Sequence, residues 1–187
     1  MSTPLSTDAV RRITRLVRGA DLDLYMAGAD WYADAHSFAL ELAGDHGLVV
    51  EQAAGIIAAL SPQVSWSQNV VMARELCTTG FTRGLGMSVS RAMRILDGEH
   101  PDDVLGGLKT RSFYANIVSG GTDRGVTVDR HAICAVRGER NGAPAVTPAQ
   151  YIAATRVFQR AADILGLTPP VCQAIAWVAW RDQHGIA

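Results

Sequence analysis

A single short stretch of this chain, Val126-Thr127-Val128, has the composition of a β-strand, and one strand cannot form a sheet. Elsewhere apolar residues recur at intervals of three, four or seven, which is the spacing of an amphipathic helix. The pattern from Asp23 to Ala43 shows this spacing, and the small apolar residues of Val50 to Leu60 are typical of a buried central helix. The sequence therefore predicts an all-α protein.

Capping residues and helix breakers set the bounds of the predicted helices. Ser, Thr and Asp accept hydrogen bonds from the first free backbone N–H groups, while Gly and Pro end helices. The predicted helices cover about residues 8–17, 23–43, 50–60, 66–77, 88–96, 109–118, 130–136, 148–165 and 169–183. Asp129 is predicted to cap the helix over 130–136, and His100-Pro101-Asp102 is predicted to be a turn.

Length and composition favour one domain over residues 1–187, since 187 residues with 48% hydrophobic and 19% charged side chains can bury a core. No apolar run approaches the roughly 20 residues that a membrane span needs. The N-terminus lacks the layout of a secretion signal, so we expect a cytoplasmic protein. Three scattered cysteines argue against a disulfide framework and against a zinc or iron–sulfur site. We expect neither metal nor cofactor, and the sequence carries no signal of oligomeric state.

The formal net charge of −1 does not by itself indicate a nucleic-acid-binding protein. Four arginines nevertheless fall at helical spacing, and they form either a basic face or an ordinary solvated one: Arg11, Arg12, Arg15 and Arg18. Lys109 is the only lysine among 17 Lys and Arg residues. Because arginine cannot act as an amine nucleophile, the presence of this one lysine makes Lys109 a candidate functional residue.

Three segments with distinctive residues follow one another along the chain. An apolar helix leads into Ser61-Pro62-Gln63 and a second helix, a glycine-rich Gly106-Gly107-Leu108-Lys109-Thr110 comes next, and Val128-Asp129-Arg130-His131 follows. This order resembles the helix-hairpin-helix (HhH-GPD) DNA glycosylase superfamily, in which the second segment is similar to the glycine hairpin and the third to the Val-Asp-x-His segment. The resemblance covers roughly positions 50 to 137. It implies a two-lobed helical fold, here without an iron–sulfur cluster because the terminal cysteine cluster of many relatives is absent.

The resemblance also implies roles for individual residues. Gln63 would lie at the DNA-facing rim and fill the gap left by an extruded base. Gly106 and Gly107 would bring backbone N–H groups against a phosphate, next to Lys109 and Thr110. Asp129 would be the catalytic residue, at the mouth of a cleft facing the hairpin.

The chain departs from the family pattern in two ways. Its hairpin lacks the proline-glycine-x-glycine form, and the interval from Lys109 to Asp129 is longer than usual in the family. About two extra residues turn a side chain by roughly 200° on an α-helix. This offset favours phosphate contact by Lys109 over attack on the sugar by its amine.

Further candidate residues come from helix faces. Gln173, Trp177 and Arg181 recur every four residues, so they share one face and could line a pocket with a stacking ring between polar groups. Trp177 is also consistent with ordinary core packing. Three more residues are predicted to line the pocket: Trp66, Tyr114 and Asn116.

Three candidates have structural alternatives. Gln63 could simply cap a helix or close a turn. His131 could orient Asp129 or contact a DNA phosphate, or simply be a packed polar residue. Asp129 itself could be only a helix cap, a role that contributes about 1 kcal/mol.

These features predict a DNA base-processing enzyme, a glycosylase-like N-glycosyl hydrolase acting on an extruded modified or damaged base. A base-hypermodifying transferase on the same fold is an alternative, because the Ser112-Phe113-Tyr114-x-Asn116 pattern is also similar to phage-type proteins linked to hypermodified thymine in DNA. Two further alternatives are a non-catalytic DNA-binding module, and a helical interaction protein in which Asp129 and Lys109 are structural.

Overall fold

A computed structural model of the chain describes residues 7–140 and 145–186. Every regular element within these two ranges is an α-helix, so the prediction of an all-α protein is confirmed. The helices are α1 (Thr7–Gly19), α2 (Leu22–Ala29), α3 (Trp31–His46), α4 (Val50–Leu60), α5 (Trp66–Thr79), α6 (Gly86–Leu96), α7 (Pro101–Val104), α8 (Leu108–Val118), α9 (Arg130–Arg137), α10 (Pro148–Leu165) and α11 (Pro169–Gln183).

The described residues divide into two compact units. The first unit comprises those of Met1–Tyr32 and Gly121–Ala187, and the second comprises Ala33–Gly120. The first unit therefore holds α1, α2, α9, α10 and α11, while the second holds α4 to α8 and nearly all of α3.

Helix α11 is the centre of the first unit, where it packs against α1, α2, α9 and α10. Ile13, Phe158 and Ile175 are fully buried in this core. Gly28 allows α2 to approach α11 closely, because a Cβ atom at that position would lie 2.4 Å from the Cα of Ile175. Backbone meets backbone at this contact, so no side-chain movement could make room for a larger residue.

Helix α4 is the centre of the second unit, as its apolar composition predicts. All residues from Ala53 to Leu60 are buried, and the helix packs against α5, α6, α7 and α8. Asn69 of α5 donates from Nδ2 to the carbonyl of Ile57 across 3.1 Å, which satisfies a backbone group inside this core.

The single helix predicted from Asp23 to Ala43 is wrong, because the structure divides this segment into α2 and α3 at Asp30. Asp21 starts α2 by accepting a hydrogen bond from the N–H of Leu24 at 2.9 Å. Asp30 closes α2 with a bond from its N–H to the carbonyl of Met26. Aspartate is a poor residue for a helix interior, since its side chain competes for nearby backbone groups.

The predicted turn at residues 100–102 is also more regular than expected. His100 accepts a hydrogen bond from the N–H of Asp102, and Pro101 occupies the first position of the short helix α7. Proline suits this position because its missing N–H is not needed there.

The extended segment Val126-Thr127-Val128 is buried but belongs to no sheet among the described residues. The hydroxyl of Tyr151 donates to the carbonyl of Val126 at 2.6 Å and accepts from the N–H of Val128 at 3.3 Å. One side chain therefore satisfies the backbone groups that a neighbouring strand would otherwise bond.

All three cysteines are free, and Cys134 and Cys172 are buried. Burial raises the pKa of the Cys172 thiol to about 12 and that of Cys77 to about 11. Both thiols therefore stay protonated at neutral pH and are poor nucleophiles.

No single helix among the described residues is both long and apolar enough to cross a membrane. Helices α10 and α11, joined by a 100° bend, could do so as a pair by length and composition only.

The close contact at Gly28 gives a stability prediction. Gly28→Ala should lower the free energy of unfolding by about 2 kcal/mol or more, because the added methyl group forces two helix backbones apart. Gly44→Ala is the matched control: a Cβ at Gly44 meets nothing within 4 Å, so this change should raise stability by about 0.5–1 kcal/mol. Urea denaturation followed by circular dichroism measures both. Equal effects of the two substitutions would contradict the packing described here.

Candidate functional site

The Asp129 carboxylate lies at the start of α9 and accepts two hydrogen bonds from different helices. Its Oδ1 accepts from the N–H of Ala132 at 2.7 Å, which confirms the predicted helix cap. Its Oδ2 accepts from the indole Nε1–H of Trp177 on α11 at 3.1 Å. An ionised carboxylate has about four acceptor positions, so two remain for other donors.

The Trp177 ring contacts two further side chains. The Cζ of Arg181 lies 4.2 Å from the ring centroid, which is cation–π geometry. The Trp31 ring also lies against it, with ring centroids 5.4 Å apart and planes inclined by 53°. We call these four residues, Asp129, Trp177, Arg181 and Trp31, the Asp129–Trp177 site. All four are half-buried and belong to the first unit.

Gln173 lies one turn before Trp177 on the predicted face of α11. It is buried, and its Oε1 accepts a hydrogen bond from the hydroxyl of Tyr32 at 3.2 Å. Gln173, Trp177 and Arg181 thus lie along α11 as predicted, but Gln173 is buried inside the first unit while the other two are half-buried. Trp31 and Tyr32 are the residues that sequence reasoning missed, because aromatic residues inside a helical pattern read as core and nothing local marks their partners.

His131 follows Asp129 in the first turn of α9 and is half-buried. Its Nε2 accepts a hydrogen bond from the Nε of Arg130 at 3.3 Å. This contact places the His131 ring beside a cationic side chain at the exposed end of the helix.

The predicted glycine hairpin precedes α8 in the second unit. Gly107 has φ 78° and ψ 145°, a backbone conformation that is essentially restricted to glycine, and it provides no side-chain cap. Arg111 fixes this turn by donating to the carbonyls of Leu105 at 2.8 Å and Asp102 at 2.9 Å. The Arg91 guanidinium lies against Gly106, since a Cβ there would be 3.3 Å from its Nη2.

Lys109 and Thr110 occupy the first turn of α8 after the hairpin. Lys109 is exposed and has no ion pair or hydrogen bond with any residue in the described ranges. Its charge is therefore free to meet an anion from solution. Thr110 is half-buried beside it.

Gln63 has φ 63° and is the one non-glycine residue with positive φ among those described. This left-handed conformation costs of order 1 kcal/mol or more for a residue with a side chain. The Gln63 side chain is exposed and has no hydrogen-bond partner within residues 7–140 and 145–186. No hydrogen bond of its side chain to the described residues therefore offsets the backbone strain.

Three candidate pocket residues take part in the packing of the second unit. Tyr114 is 8% exposed and Asn116 is fully buried. Burial raises the pKa of Tyr114 to about 12, with smaller contributions from the negative charges of Asp102 and Glu51. Trp66 packs edge-on against the Phe38 ring, with centroids 5.9 Å apart.

No group of three or more His, Cys, Asp or Glu side chains in the described parts of the chain is placed to hold a metal ion. The chemistry of the Asp129–Trp177 site is that of an oriented carboxylate beside aromatic rings and a guanidinium. A carboxylate so placed can stabilise a developing positive charge or accept a proton from water. The indole rings offer faces on which a planar molecule can stack.

Asp129→Asn should lower the free energy of unfolding, because the carboxylate accepts hydrogen bonds from two donors. The two donors reach different oxygens of Asp129, and asparagine has an oxygen in only one of those two places. Asparagine can therefore cap α9 or accept from Trp177 but not both, and the substitution should cost about 1 kcal/mol. In a Trp177→Phe background, which lacks the indole N–H, Asp129→Asn should cost close to nothing. The coupling from this double-mutant cycle, measured by urea denaturation, should be about 1 kcal/mol.

Trp180→Phe is the matched control for this cycle. Trp180 is on the same helix and buried, and its indole N–H has no hydrogen-bond partner among the described residues. Asp129→Asn should therefore show no coupling to Trp180→Phe. Similar couplings for the two tryptophans would mean that the Asp129–Trp177 hydrogen bond contributes nothing to stability.

Comparison with known proteins places the chain in a family by sequence. No curated protein and no solved structure matches it. The model of one family, described as a family of unknown function (DUF7178), matches residues 1–184. Since this match spans nearly the whole sequence, the chain belongs to the family of unknown function DUF7178.

Proposed function

We propose that this protein is a DNA base-processing enzyme of the glycosylase type, acting on an extruded modified or damaged base. The observation that carries the proposal is the Asp129 carboxylate, which is oriented by the Ala132 N–H and the Trp177 indole and has free acceptor positions. A carboxylate used only as a helix cap needs the first of these bonds and not the second.

The proposed reaction breaks the bond between the sugar C1′ and the base nitrogen. The bonding electrons leave with the base, and positive charge develops on the sugar in the transition state. The Asp129 carboxylate stabilises that charge and takes a proton from the water whose oxygen then bonds to C1′. The departing base is protonated from solvent, so atoms and charge balance without a cofactor.

Aromatic side chains support the proposal because a base taken out of the duplex loses its stacking partners. A flipped base is held in such enzymes by stacking and by hydrogen bonds to its edge. Trp31 and Trp177 are half-buried, so each retains exposed surface that such a base could contact. Arg181, stacked on Trp177, provides donors for a base edge or a phosphate.

Features of the second unit support the DNA partner. In the proposal the hairpin at Gly106 and Gly107 and the exposed charge of Lys109 hold a DNA phosphate. Gln63 fills the gap in the duplex, a role that accounts for a strained residue with an exposed and unbonded side chain. The two units would then act as the two lobes of an HhH-GPD-like fold.

The decisive experiment incubates the purified protein with duplexes carrying a panel of modified bases and detects released bases by mass spectrometry. Asp129→Asn should reduce release at least about 100-fold, because the transition-state carboxylate is lost. Asp45→Asn removes an exposed carboxylate elsewhere and should leave the rate unchanged.

Two outcomes would reject the glycosylase proposal. Release of no base, together with DNA binding, would favour a non-catalytic DNA-binding module. A new modified nucleoside in the duplex, formed in cell extract and dependent on Asp129, would favour the base-hypermodifying transferase.

Lys109 separates two forms of the proposed chemistry. If its ammonium group only contacts phosphate, Lys109→Arg should keep base release within about threefold, whereas Lys109→Gln should weaken DNA binding. If its amine attacks the sugar, borohydride should trap the wild-type protein covalently on DNA through a Schiff base. We expect phosphate contact and no trapping. Covalent trapping that disappears in Lys109→Arg would contradict this expectation.

A further inference from the structure

A groove of about 710 Å³ lies between α1 and α10 in the first unit, and four arginines line it. Three of them, Arg11, Arg15 and Arg18, follow one face of α1 at spacings of four and three residues. The fourth, Arg160, comes from α10. Apolar contact at the groove comes from Val10 and Ile164, on which long arginine side chains can lie.

Most of the positive charge in this groove lacks a counter-charge. Arg15, Arg18 and Arg160 are exposed and have no ion pair or hydrogen bond with the described residues. Arg11 has a single partner, Asp8, at 3.5 Å in a highly exposed pair. Like charges gathered on one concave surface repel each other, so an anion bound there relieves that repulsion.

Arg12 is separate from the groove, although the sequence alone groups it with its neighbours. Its guanidinium donates to the carbonyl of Val136 near the end of α9. Gly138 makes room for this contact, since a Cβ there would lie 2.6 Å from the Arg12 Nε. This bond joins α1 to α9, the helix that Asp129 caps, and the groove and the Asp129–Trp177 site belong to one packed unit.

The dimensions of the arginine row fit a nucleic acid strand. From Arg11 to Arg18 the axis of α1 rises by about 10 Å, at roughly 1.5 Å per residue. One strand of duplex DNA presents a phosphate about every 3.4 Å of rise along the duplex axis, and neighbouring phosphates lie farther apart than this in space because the strand also winds around that axis. The row is therefore long enough to reach more than one phosphate of the same strand. A concave groove lined by arginines also suits a strand better than a membrane surface, which an interfacial helix binds by burying an apolar face.

We infer that the arginine groove between α1 and α10 binds the phosphodiester backbone of DNA, as a second contact independent of the glycine hairpin. The inference rests on the proposed function only in taking DNA as the partner. It needs no base chemistry, so loss of enzymatic activity and loss of this contact can be measured separately.

The test measures binding of a short fluorescein-labelled duplex by fluorescence anisotropy over about 50 to 200 mM salt. Variants Arg15→Gln and Arg18→Gln are compared, singly and together, with Arg83→Gln. Arg83 is exposed and lies in the second unit, and it has no partner among the described residues, so its loss removes the same charge elsewhere. The thermal unfolding of all variants is recorded as a control for folding.

Each groove substitution should reduce the slope of log K against log salt by about 0.9, and the double variant by nearly twice that. This corresponds to roughly an eightfold loss of affinity per contact near 0.1 M salt. Arg15→Lys should restore most of the slope, because a lysine supplies the charge. Arg83→Gln should keep the wild-type slope.

Three results would overturn the inference: groove variants that match Arg83→Gln, wild-type protein that does not bind the duplex, or arginine-dependent binding to phosphatidylserine vesicles without binding to DNA. Measuring base release and DNA binding on the wild type and on Asp129→Asn separates failure of the groove inference from failure of the proposed function. If that variant and the wild type release no base but bind DNA with the full salt slope, the groove inference stands and the enzymatic proposal fails.

Discussion

The indole of Trp177 donates a hydrogen bond to the carboxylate that begins α9, and this one contact joins residues 48 positions apart in sequence. Both partners are already fixed by their own helices, Asp129 as the cap of α9 and Trp177 on the central α11. The bond therefore costs little additional ordering. Arg181 and Trp31 both contact the Trp177 ring, so this bond links the carboxylate to the other two side chains of the site.

The parts of the structure that sequence reasoning predicted are those decided by neighbouring residues. The cap at Asp129, the buried helix α4 and the break at Gly107 each follow from a few adjacent side chains or from one backbone angle. The break at Asp30 is also decided by neighbouring residues, but the helical spacing of apolar residues continues across it, so the sequence predicts one helix there.

The parts that could not be predicted depend on partners distant in the chain. The hydroxyl of Tyr151 bonds the backbone of a segment 25 residues earlier, and Tyr32 bonds Gln173 across 141 positions. Arg12 looks like its neighbours in sequence, yet it bonds α9 while Arg15 faces the groove. The net charge is a poor guide to nucleic-acid binding for a related reason: it counts paired and unpaired charged groups alike, and pairing depends on distant partners.

Gln63 carries a side chain in a backbone conformation that glycine would adopt without steric cost. Folding alone therefore gives no reason to keep glutamine at this position, and a drift towards glycine would make the turn between α4 and α5 easier to form. The sequences of other family members can thus act as a natural experiment. Where a relative keeps this turn and a long polar residue at this position, the side chain has been retained although glycine would relieve the backbone strain.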